Sequence, residues 1–348
     1  MAEAPGPQRA TLAQVAELAG VSVMTASYTY NQPDRVSAAA RSKVLAAAEE
    51  LGYAGPHPSA RSLRRGSTLA LGVVLGEHLT YAFDDPAAVS FMAGIAEVCA
   101  ERGFGMTILP TTGTEEDADR IADAAVDGFV IWTTADDDPT LAAVLATRRP
   151  AAIHGGSTVQ GLIGVGIDNR AAARAVGALV FAGSRRPAVV SQPLSRARVA
   201  TVTRGAGLGD VLFPVTRDRL AGYREAAEAA GTAWSDVRVA GCARNDVAEA
   251  ERVATALLTS AEPPDAIAAM SDQQALGVLH AAHALGRAVP DDLAVAGFDD
   301  LPAAEPAGLT TVRQSLREQG ATCAKVALGH RPRSLAAPWS VVARSSTR

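Results

Sequence analysis

Residues 11–31 read TLAQVAELAGVSVMTASYTYN, and this stretch decides the fold of the amino-terminal part of the chain. Apolar residues recur at spacings of three and four up to Gly20, which is typical of an amphipathic helix that ends at that glycine. Ser22 is placed to cap a second helix, which reaches about Tyr30. Two short helices joined by Ala19-Gly20-Val21 predict a helix-turn-helix, because the glycine permits a tight turn and Val21 can pack between the helices.

A third helix is predicted directly after this pair, capped by Ser37 and ended by Gly52. Thr11 can cap the first helix in the same way. The second helix begins with small polar side chains at Ser22, Thr25 and Ser27, which suits a helix N-terminus that approaches phosphates and base edges of DNA. A helical hairpin with no nucleic-acid ligand is the alternative interpretation of the same pattern.

The net charge of the chain does not by itself indicate a nucleic-acid-binding protein. Its 348 residues include 32 Lys or Arg and 37 Asp or Glu, which gives a formal charge of −5. Any basic surface must therefore be local. Residues 1–66 hold seven basic and five acidic residues, a local charge of +2. Arg61, Arg64 and Arg65 contribute to it from a stretch with the Pro and Gly content of a linker.

The composition argues against disulfide-rich, zinc-binding, secreted and membrane-spanning proteins. The cysteines Cys99, Cys242 and Cys323 are far apart and form no C-x-x-C pair, so we expect neither a disulfide scaffold nor a zinc site, and the thiols fit a reducing cytosol. The first 25 residues lack the apolar core of a secretory signal. Apolar runs such as 69–76 are far shorter than the roughly 20 residues that a membrane span needs. We therefore expect a cytoplasmic protein without a membrane partner.

From Thr68 onward, short β-rich apolar runs alternate with alanine-rich helical stretches. This alternation predicts parallel sheets that are covered by helices on both faces. About ten strands exceed one comfortable sheet, so we expect two α/β lobes. The predicted strands include LALGVVLG (69–76), GMTILP (105–110), GFVIWTT (128–134), PAAIHG (150–155), IGVGID (163–168), PAVVS (187–191), DAIAAM (265–270) and LAVAGFDD (293–300), and the predicted helices include 87–102, 115–125, 139–147, 169–182, 220–230, 247–259 and 273–285.

The chain resembles the LacI/GalR family of transcriptional regulators over nearly all of its length. Residues 11–53 follow the family pattern T-L-x-x-V-A-x-x-A-G-V-S-x-x-T-x-S, then Asn31, Val36-Ser37, Arg41, Val44, Ala47-Ala48 and Leu51-Gly52-Tyr53. Later matches in family order are D-N at 168–169, R-L-A-G-Y at 219–223, S-D-Q at 271–273, G-F-D-D at 297–300 and L-T-T-V-R-Q at 309–314.

The resemblance implies the following organisation. An all-α helix-turn-helix headpiece precedes a two-lobed α/β core that resembles periplasmic binding proteins and has parallel sheets. We expect a disordered tail at 1–10, the headpiece at 11–56, a hinge helix or linker at 57–68, and an effector-binding and dimerisation unit at 69–348. The implied function is a repressor that binds pseudo-palindromic double-stranded operator DNA as a homodimer and responds to a small hydroxyl-rich effector, with no cofactor and no enzymatic activity.

The resemblance also implies which residues contact DNA. In the family, hinge helices from two subunits pair in the minor groove and a leucine wedges between base pairs, and Leu63 matches that leucine. Arginines beside it would lie near phosphates. The DNA-binding residues expected on this basis are Thr11, Ser22, Val23, Met24, Thr25, Ser27, Tyr28, Asn31 and Ser37 in the headpiece, with Ala60, Arg61, Leu63 and Arg64 in the hinge.

The recognition helix departs from the family pattern. Tyr28 follows Ser27 where the family usually has arginine, and tyrosine cannot make the bidentate contact that arginine makes with guanine. Val23 and Met24 occupy base-reading positions and can offer only apolar contact, for example to thymine methyl groups. The preferred operator base at these positions should therefore differ from that of typical family members.

Five residues are expected to bind the effector between the lobes: Trp132, Asp168, Arg219, Ser271 and Asp299. Trp132 can stack on a ligand at the end of a strand, Asp168 and Asp299 also end predicted strands, and Arg219 opens a predicted helix. The other four match family effector-contacting positions. Helix capping and ordinary salt bridges between the lobes are the alternative interpretation.

Two expanded segments, at 77–90 and after Pro193, can bring further residues to the site: Glu77, Tyr81, Phe83, Arg196, Arg198 or Arg204. Sugar-binding relatives have an aromatic residue at the position where this chain has Ala243 or Arg244. This difference puts a simple pyranose ligand in doubt.

Two other classes of function remain as alternatives. The lobes alone would suit a solute-binding module. The headpiece and the missing export signal argue against this alternative. An α/β enzyme is the second alternative, but no G-x-G-x-x-G, Walker A or G-x-S-x-G motif occurs. His280 and His283 lie one helical turn apart without nearby Cys or Glu, so a surface or core role is favoured over metal binding.

Overall fold

The structure is a computed structural model that describes residues 10–55, 66–76, 79–112, 114, 116–132, 134–155, 159–330 and 336–348. The chain divides into two compact units, the first ending at Thr68 and the second running from Leu69 to Arg348. Most of the predicted tail and most of the predicted hinge lie outside the described residues. Within those residues, the structure contains no helix that is long and apolar enough to cross a lipid bilayer.

The first unit contains three α-helices. All three predicted N-caps are confirmed, because each cap side chain accepts a hydrogen bond from a backbone N–H in the first helical turn. A 3-10 turn over Pro33–Arg35 follows the second helix, which ends one residue later than predicted. The helices are α1 (Leu12–Leu18, capped by Thr11), α2 (Val23–Asn31, capped by Ser22) and α3 (Ala38–Glu50, capped by Ser37).

A small apolar core joins these helices. Val15, Ala26 and Val44, one from each helix, are fully buried and belong to one cluster. Gly20 has a φ of 65°, a left-handed conformation that glycine adopts without steric cost. Val21 directly after it packs against the same core. The predicted helix-turn-helix is therefore confirmed.

The first lobe of the second unit is a five-stranded parallel sheet in the order β2-β1-β3-β4-β5. Its central strand alternates between two apolar cores, with Val130 in one and Phe129 and Ile131 in the other. Helices therefore cover both faces of the sheet, as predicted. The elements are β1 (Ala70–Leu75), α4 (Tyr81–Asp84), α5 (Pro86–Arg102), β2 (Gly105–Pro110), α6 (Glu116–Ala122), β3 (Gly128–Trp132), α7 (Pro139–Ala146), β4 (Ala151–His154) and β5 (Ile163–Val165).

The second lobe is a five-stranded sheet in the order β10-β9-β6-β8-β7. It is also covered on both faces, since Val189 and Val190 on β6 point into different cores. Its edge strand β7 runs antiparallel to β8 and is largely exposed. The elements are α8 (Asn169–Val180), β6 (Pro187–Ser191), β7 (Thr201–Arg204), α9 (Pro214–Ala229), β8 (Arg238–Gly241), α10 (Val247–Leu258), β9 (Ala266–Ala269), α11 (Asp272–Ala284) and β10 (Ala294–Ala296).

The last part of the chain was not predicted in detail. An antiparallel pair, β11 (Thr311–Gln314) and β12 (Trp339–Val342), flanks helix α12 (Leu316–Ala327). Helix α12 packs against α5 and β4, so the chain returns to the first lobe after β11 and leaves it again after α12. Together with the passage after β5, these crossings connect the lobes.

One predicted helix boundary is wrong in a way that matters for the site. The helix predicted at 220–230 begins earlier, at Pro214, whose fixed φ suits the first helical turn. Arg219 therefore lies inside α9 and does not open it. The start of the helix could not be predicted from the polar run Arg217-Asp218-Arg219, because this run lacks the apolar spacing of the rest of the helix.

Two glycines allow α5 and α12 to pack closely. A Cβ at Gly94 would overlap the carbonyl oxygen of Arg317, and one at Gly320 would overlap the carbonyl oxygen of Phe91. The two helix backbones are thus in direct contact across the first lobe. Only glycine leaves room for this approach.

We expect Gly94→Ala to destabilise the second unit by about 3 kcal/mol, because the overlap is with backbone, which cannot rotate away. The melting temperature measured by differential scanning calorimetry should fall by about 5 °C or more. Gly105→Ala is the matched control, since its Cβ would meet only Leu69 O at 3.8 Å. Equal melting temperatures for both variants would contradict this account of the packing.

Candidate functional site

The small polar residues of the helix-turn-helix serve first as helix caps. Thr11 forms a capping box with Gln14, and Ser22 Oγ accepts from the N–H of Thr25 at 3.1 Å and hydrogen-bonds its hydroxyl at 2.8 Å. Ser37 caps α3 from an exposed position. Capping leaves the other first-turn N–H groups of α2 available to a phosphate or a base edge.

The exposed face of α2 is apolar where the helix begins. Val23 is 51% exposed and Met24 is 65% exposed, whereas the neighbouring Ala26 is fully buried. Tyr28 is half-buried on the same helix. Asn31 Nδ2 donates to the carbonyl of Ser27 at 2.7 Å and so completes the last turn of α2. The structure thus presents Val23 and Met24 to a ligand, as the recognition-helix prediction requires, while the DNA contacts themselves remain a prediction.

The predicted hinge residues Ala60, Arg61, Leu63 and Arg64 lie outside the described residues. Their contribution to minor-groove binding stays a prediction.

A cavity of about 1140 Å³ lies between the two lobes of the second unit. Its lining includes residues that follow parallel strands of both sheets, among them Gly76 after β1 and Gln192 after β6. Ligands of open α/β sheets bind at the carboxyl ends of strands, and this volume suits a small molecule.

The structure brings three of the five predicted effector-binding residues to the cavity: Trp132, Arg219 and Asp299 line it. Asp168 and Ser271 are absent from the lining. Asp168 is exposed and caps α8 by accepting from Ala171 N, and Ser271 is buried and caps α11 by accepting from Gln274 N. Both residues thus cap a helix, as the alternative interpretation expects, while their contact with the effector stays a prediction.

Arg219 makes several contacts within the cavity wall. Its guanidinium donates to Asn169 Oδ1 at 3.0 Å and to the carbonyl of Met270, and it lies 3.8 Å from Asp299 Oδ1. Its Cζ lies 3.6 Å from the centroid of the Phe298 ring. The side chain is only 6% exposed. Arg219 thus binds several groups of the second lobe together and presents one edge to the cavity.

The backbone that carries Asp299 is strained. Asp299 has a φ of 111° and Asp300 a φ of 53°, a region that residues with a Cβ rarely adopt. Asp300 is held there by ion pairs with Arg313 at 2.6 Å and Arg344 at 2.7 Å. Non-glycine residues in this conformation cluster at ligand-binding sites, so the strained backbone supports a ligand-binding role for Asp299.

Two buried carboxyl groups in this region should make stability depend on pH. Burial, with the nearby Asp299 as a further cause, raises the pKa of Asp272 to about 8. Burial also raises the pKa of Asp299 to about 6, against the lowering effect of Arg219. Between the ordinary value of 3.8 and about 8, the folded chain holds protons that the unfolded chain has released. Stability contributed by these groups is therefore lost as pH rises through that window.

We expect Asp272→Asn to remove the upper part of this pH dependence. The wild-type melting temperature should fall between about pH 6 and about pH 8, while that of the variant should change much less. Thermal melts across this range measure the effect. Asp291→Asn, at an exposed position, is the matched control. A variant profile that parallels the wild-type profile would contradict the assignment to Asp272.

An aromatic cluster forms the first-lobe wall of the cavity. Trp132 stacks on His154, with ring centroids 4.9 Å apart and planes inclined by 17°. Phe91 packs against both rings from the core. The sequence placed His154 at the end of a strand but did not single it out, since one histidine in an apolar run is most often a core residue.

Exposed ion pairs connect the lobes at the mouth of the cavity. Arg196 donates to Asp137 at 2.8 Å and Arg217 to Asp136 at 2.9 Å, from the second lobe to the first. Arg198 donates to the carbonyl of Gly76 at 3.2 Å. We call the pairs Arg196–Asp137 and Arg217–Asp136 the mouth pairs. They lie in solvent, where each such pair contributes only about 0–1 kcal/mol.

The remaining predicted candidates are divided between the cavity and the surface. Tyr81, Arg196, Arg198, Ala243 and Arg244 line the cavity. Phe83 is 67% exposed and absent from the lining, and Arg204 on β7 pairs instead with Glu262. Glu77 lies outside the described residues.

A polar contact between the two lobes, within the lining of the cavity, could not be predicted from the sequence. Asn245 Nδ2 donates to Asp85 Oδ2 at 2.6 Å, and Asn245 Oδ1 accepts from Ser271. Asp85 belongs to the first lobe, where it caps α5. Ser271 thus reaches the cleft indirectly, through Asn245. No sequence signal pairs Asp85 with Asn245, because they are distant in the chain.

Each of the two units matches a known protein-family model. Residues 11–56 match the family model described as bacterial regulatory proteins, lacI family. Residues 182–347 match the model of the periplasmic binding protein-like domain.

Relatives that match over most of both chains support the same assignment. The chain is 38% identical to the HTH-type transcriptional regulator Rv3575c of Mycobacterium tuberculosis over 91% of this chain and 90% of the relative. The structure of a complex of the transcriptional regulator CelR with cellobiose covers 97% of this chain and 100% of CelR, at 28% identity and a TM-score of 0.65. The lac repressor dimer bound to operator and an anti-inducer covers 97% of this chain and 99% of that chain, at 26% identity and a TM-score of 0.71. The chain therefore belongs to the LacI family of bacterial regulatory proteins and is a DNA-binding regulator of transcription.

Proposed function

We propose that this regulator is a repressor whose operator affinity is controlled by an uncharged, hydroxyl-rich effector in the cavity between the lobes. The observation that carries the proposal is that each arginine of the cavity wall is paired with another group of the protein. An anionic ligand would have to displace such a partner, whereas a neutral polyol can add hydrogen bonds to groups already in place.

The cavity arginines illustrate this pairing. Each of the four has an acceptor within the protein: Arg196 has Asp137, Arg198 has the Gly76 carbonyl, Arg219 has Asn169 and Asp299, and Arg244 has Asp246 and Glu249. The carboxylates Asp85 and Asp138 cap helices and accept from backbone N–H groups. Apart from the exposed Asp84, the described part of the wall therefore offers amides, hydroxyls and aromatic faces rather than an unmatched charge.

The relatives support a sugar-like effector and a dimeric assembly. CelR was solved with cellobiose, and the lac repressor was solved as a dimer on its operator. We propose that this chain likewise binds a pseudo-palindromic operator as a homodimer, since one headpiece covers one half-site. Its site of action is the cytoplasm, and it acts by binding without catalysing a reaction. The hinge at 57–68, with Leu63 as its wedge, would couple effector to DNA with a linkage of about 1–3 kcal/mol.

A gel-shift titration tests the proposal. The full chain is first used to select an operator from random duplexes, and retention at low salt is expected. Cellobiose and D-glucose are then titrated against the complex, with D-glucose 6-phosphate as the charged control. Release by a neutral sugar and not by its phosphate supports the proposal. Release by the phosphate alone would overturn the effector class, and absence of any retained duplex would overturn the DNA-binding function.

A further inference from the structure

A chain of three side-chain hydrogen bonds connects the two lobes along the cavity wall. Gln314 Nε2 donates to Asp299 Oδ1 at 2.7 Å, and Gln319 Nε2 donates to Gln314 Oε1 at 3.0 Å. His154 Nε2 lies 2.8 Å from Gln319 Oε1. The chain thus runs from Asp299 in the second lobe to His154 on β4 of the first, and all four residues line the cavity.

The direction of this chain determines the tautomer of His154. An ionised Asp299 can only accept, so Gln314 must turn its NH₂ group toward Asp299 and its carbonyl toward Gln319. Gln319 in turn directs its carbonyl to His154, whose Nε2 must therefore carry the hydrogen. Burial lowers the pKa of His154 to about 4, so the ring is neutral and holds only that one hydrogen. The other ring nitrogen, Nδ1, is consequently an acceptor.

This acceptor is unused. Nδ1 of His154 is buried and has no hydrogen-bond partner among the described residues, while the whole residue is only 8% exposed. The ring cannot easily turn to find one, because Trp132 stacks on it, Phe91 packs against it and Gln319 binds its other nitrogen. Buried polar atoms are normally satisfied, so an orphan acceptor in a residue of a cavity wall indicates a partner that arrives with the ligand, as the groups covering Nδ1 give way to it.

We propose that the effector donates a hydrogen bond to Nδ1 of His154, so that the site selects molecules with a hydroxyl or N–H group next to Trp132. The proposal rests on the proposed effector function and names a specificity-determining residue within it. An analogue with an ether oxygen or a hydrogen in place of that donor leaves Nδ1 unsatisfied and is rejected.

Nitrogen NMR of the full chain with isotope-labelled histidine tests the proposal directly. The free protein should show His154 with Nε2 protonated and Nδ1 bare. Addition of cellobiose or D-glucose should shift the Nδ1 resonance toward that of a hydrogen-bonded acceptor. A protonated Nδ1 in the free protein overturns the proposal. A sugar that raises the melting temperature but leaves Nδ1 unmoved also overturns it, without affecting the proposed function. No response to either sugar contradicts the proposed effector class and this proposal with it.

Paired variants separate the two ring nitrogens. In His154→Asn the side-chain oxygen can take the place of Nδ1, whereas in His154→Gln the amide replaces Nε2 and the acceptor at Nδ1 is lost. We expect the Kd for the sugar that shifts Nδ1 to rise at least tenfold in the Gln variant and clearly less in the Asn variant. Operator binding by both variants reports correct folding, and His283→Gln, at an exposed position of α11, is the control. A larger loss in the Asn variant would contradict the role of Nδ1.

Discussion

Arg219→Ala is expected to lower the free energy of unfolding of the second unit by about 3–5 kcal/mol, as is typical when one partner of a buried ion pair is removed. Arg219 and Asp299 are each 6% exposed, so solvent compensates only partly for the lost guanidinium. The carbonyl of Met270 and the amide oxygen of Asn169 would also lose their donor. The sequence predicts only an effector-binding role for Arg219, but the burial of its side chain adds a large cost in folding to the variant. Urea unfolding measures that cost.

Two further variants test this explanation. Arg217→Ala, two residues away, removes a partner of the exposed mouth pair and should change stability by about 1 kcal/mol or less. Asp299→Asn combined with Arg219→Ala removes the unpaired charge, so the double variant should be more stable than Arg219→Ala alone. Equal losses for Arg217→Ala and Arg219→Ala, or strict additivity in the double variant, would contradict the buried-pair argument.

Replacement of thymine by uracil in the operator is expected to weaken binding roughly a hundredfold. Val23 and Met24 lie exposed in the first turn of α2 and can read a base edge only through apolar contact, for which the thymine methyl is the partner in the major groove. Burial of a methyl-sized group contributes about 0.8 kcal/mol, so two contacts per half-site in a two-fold operator come to about 3 kcal/mol. Competition gel shifts with otherwise identical duplexes measure the ratio.

The same assay with variants assigns the effect to residues. Met24→Ala should bind the thymine operator more weakly and should discriminate less between thymine and uracil than the wild type does. Leu18→Ala, which also removes an exposed apolar side chain of the headpiece, is the matched control and should leave the ratio unchanged. Equal wild-type affinity for both duplexes would refute apolar readout, while DNA binding itself would still stand.

The headpiece could be predicted almost completely because its signals are local. Thr11, Ser22 and Ser37 each cap the helix that starts at the next residue, and Gly20 supplies the left-handed turn. In the second unit the strand PAVVS at 187–191 was predicted with correct bounds, since a buried parallel strand is a continuous apolar run. The edge strand β7 was missed because it is exposed and lacks such a run.

The candidate site could be predicted only in part, because the same residue types serve two purposes. Asp168 and Ser271 follow apolar strands, as do Trp132 and Asp299, yet the first two cap helices and only the last two line the cavity. Gln319 carried no signal, since its role depends on the return of α12 to the first lobe. Contacts of this kind join residues that are far apart in the chain, and periodicity within a segment cannot report them.

The solvent-exposed mouth pairs have a consequence for any measurement of induction. Dissolved ions screen Arg196–Asp137 and Arg217–Asp136, so these contacts between the lobes weaken as ionic strength rises. The same ions displace the protein from DNA phosphates. Ionic strength therefore affects an induction curve in two ways, through effector binding between the lobes and through operator binding. The two effects can be separated only when the affinity for the sugar is also measured without DNA.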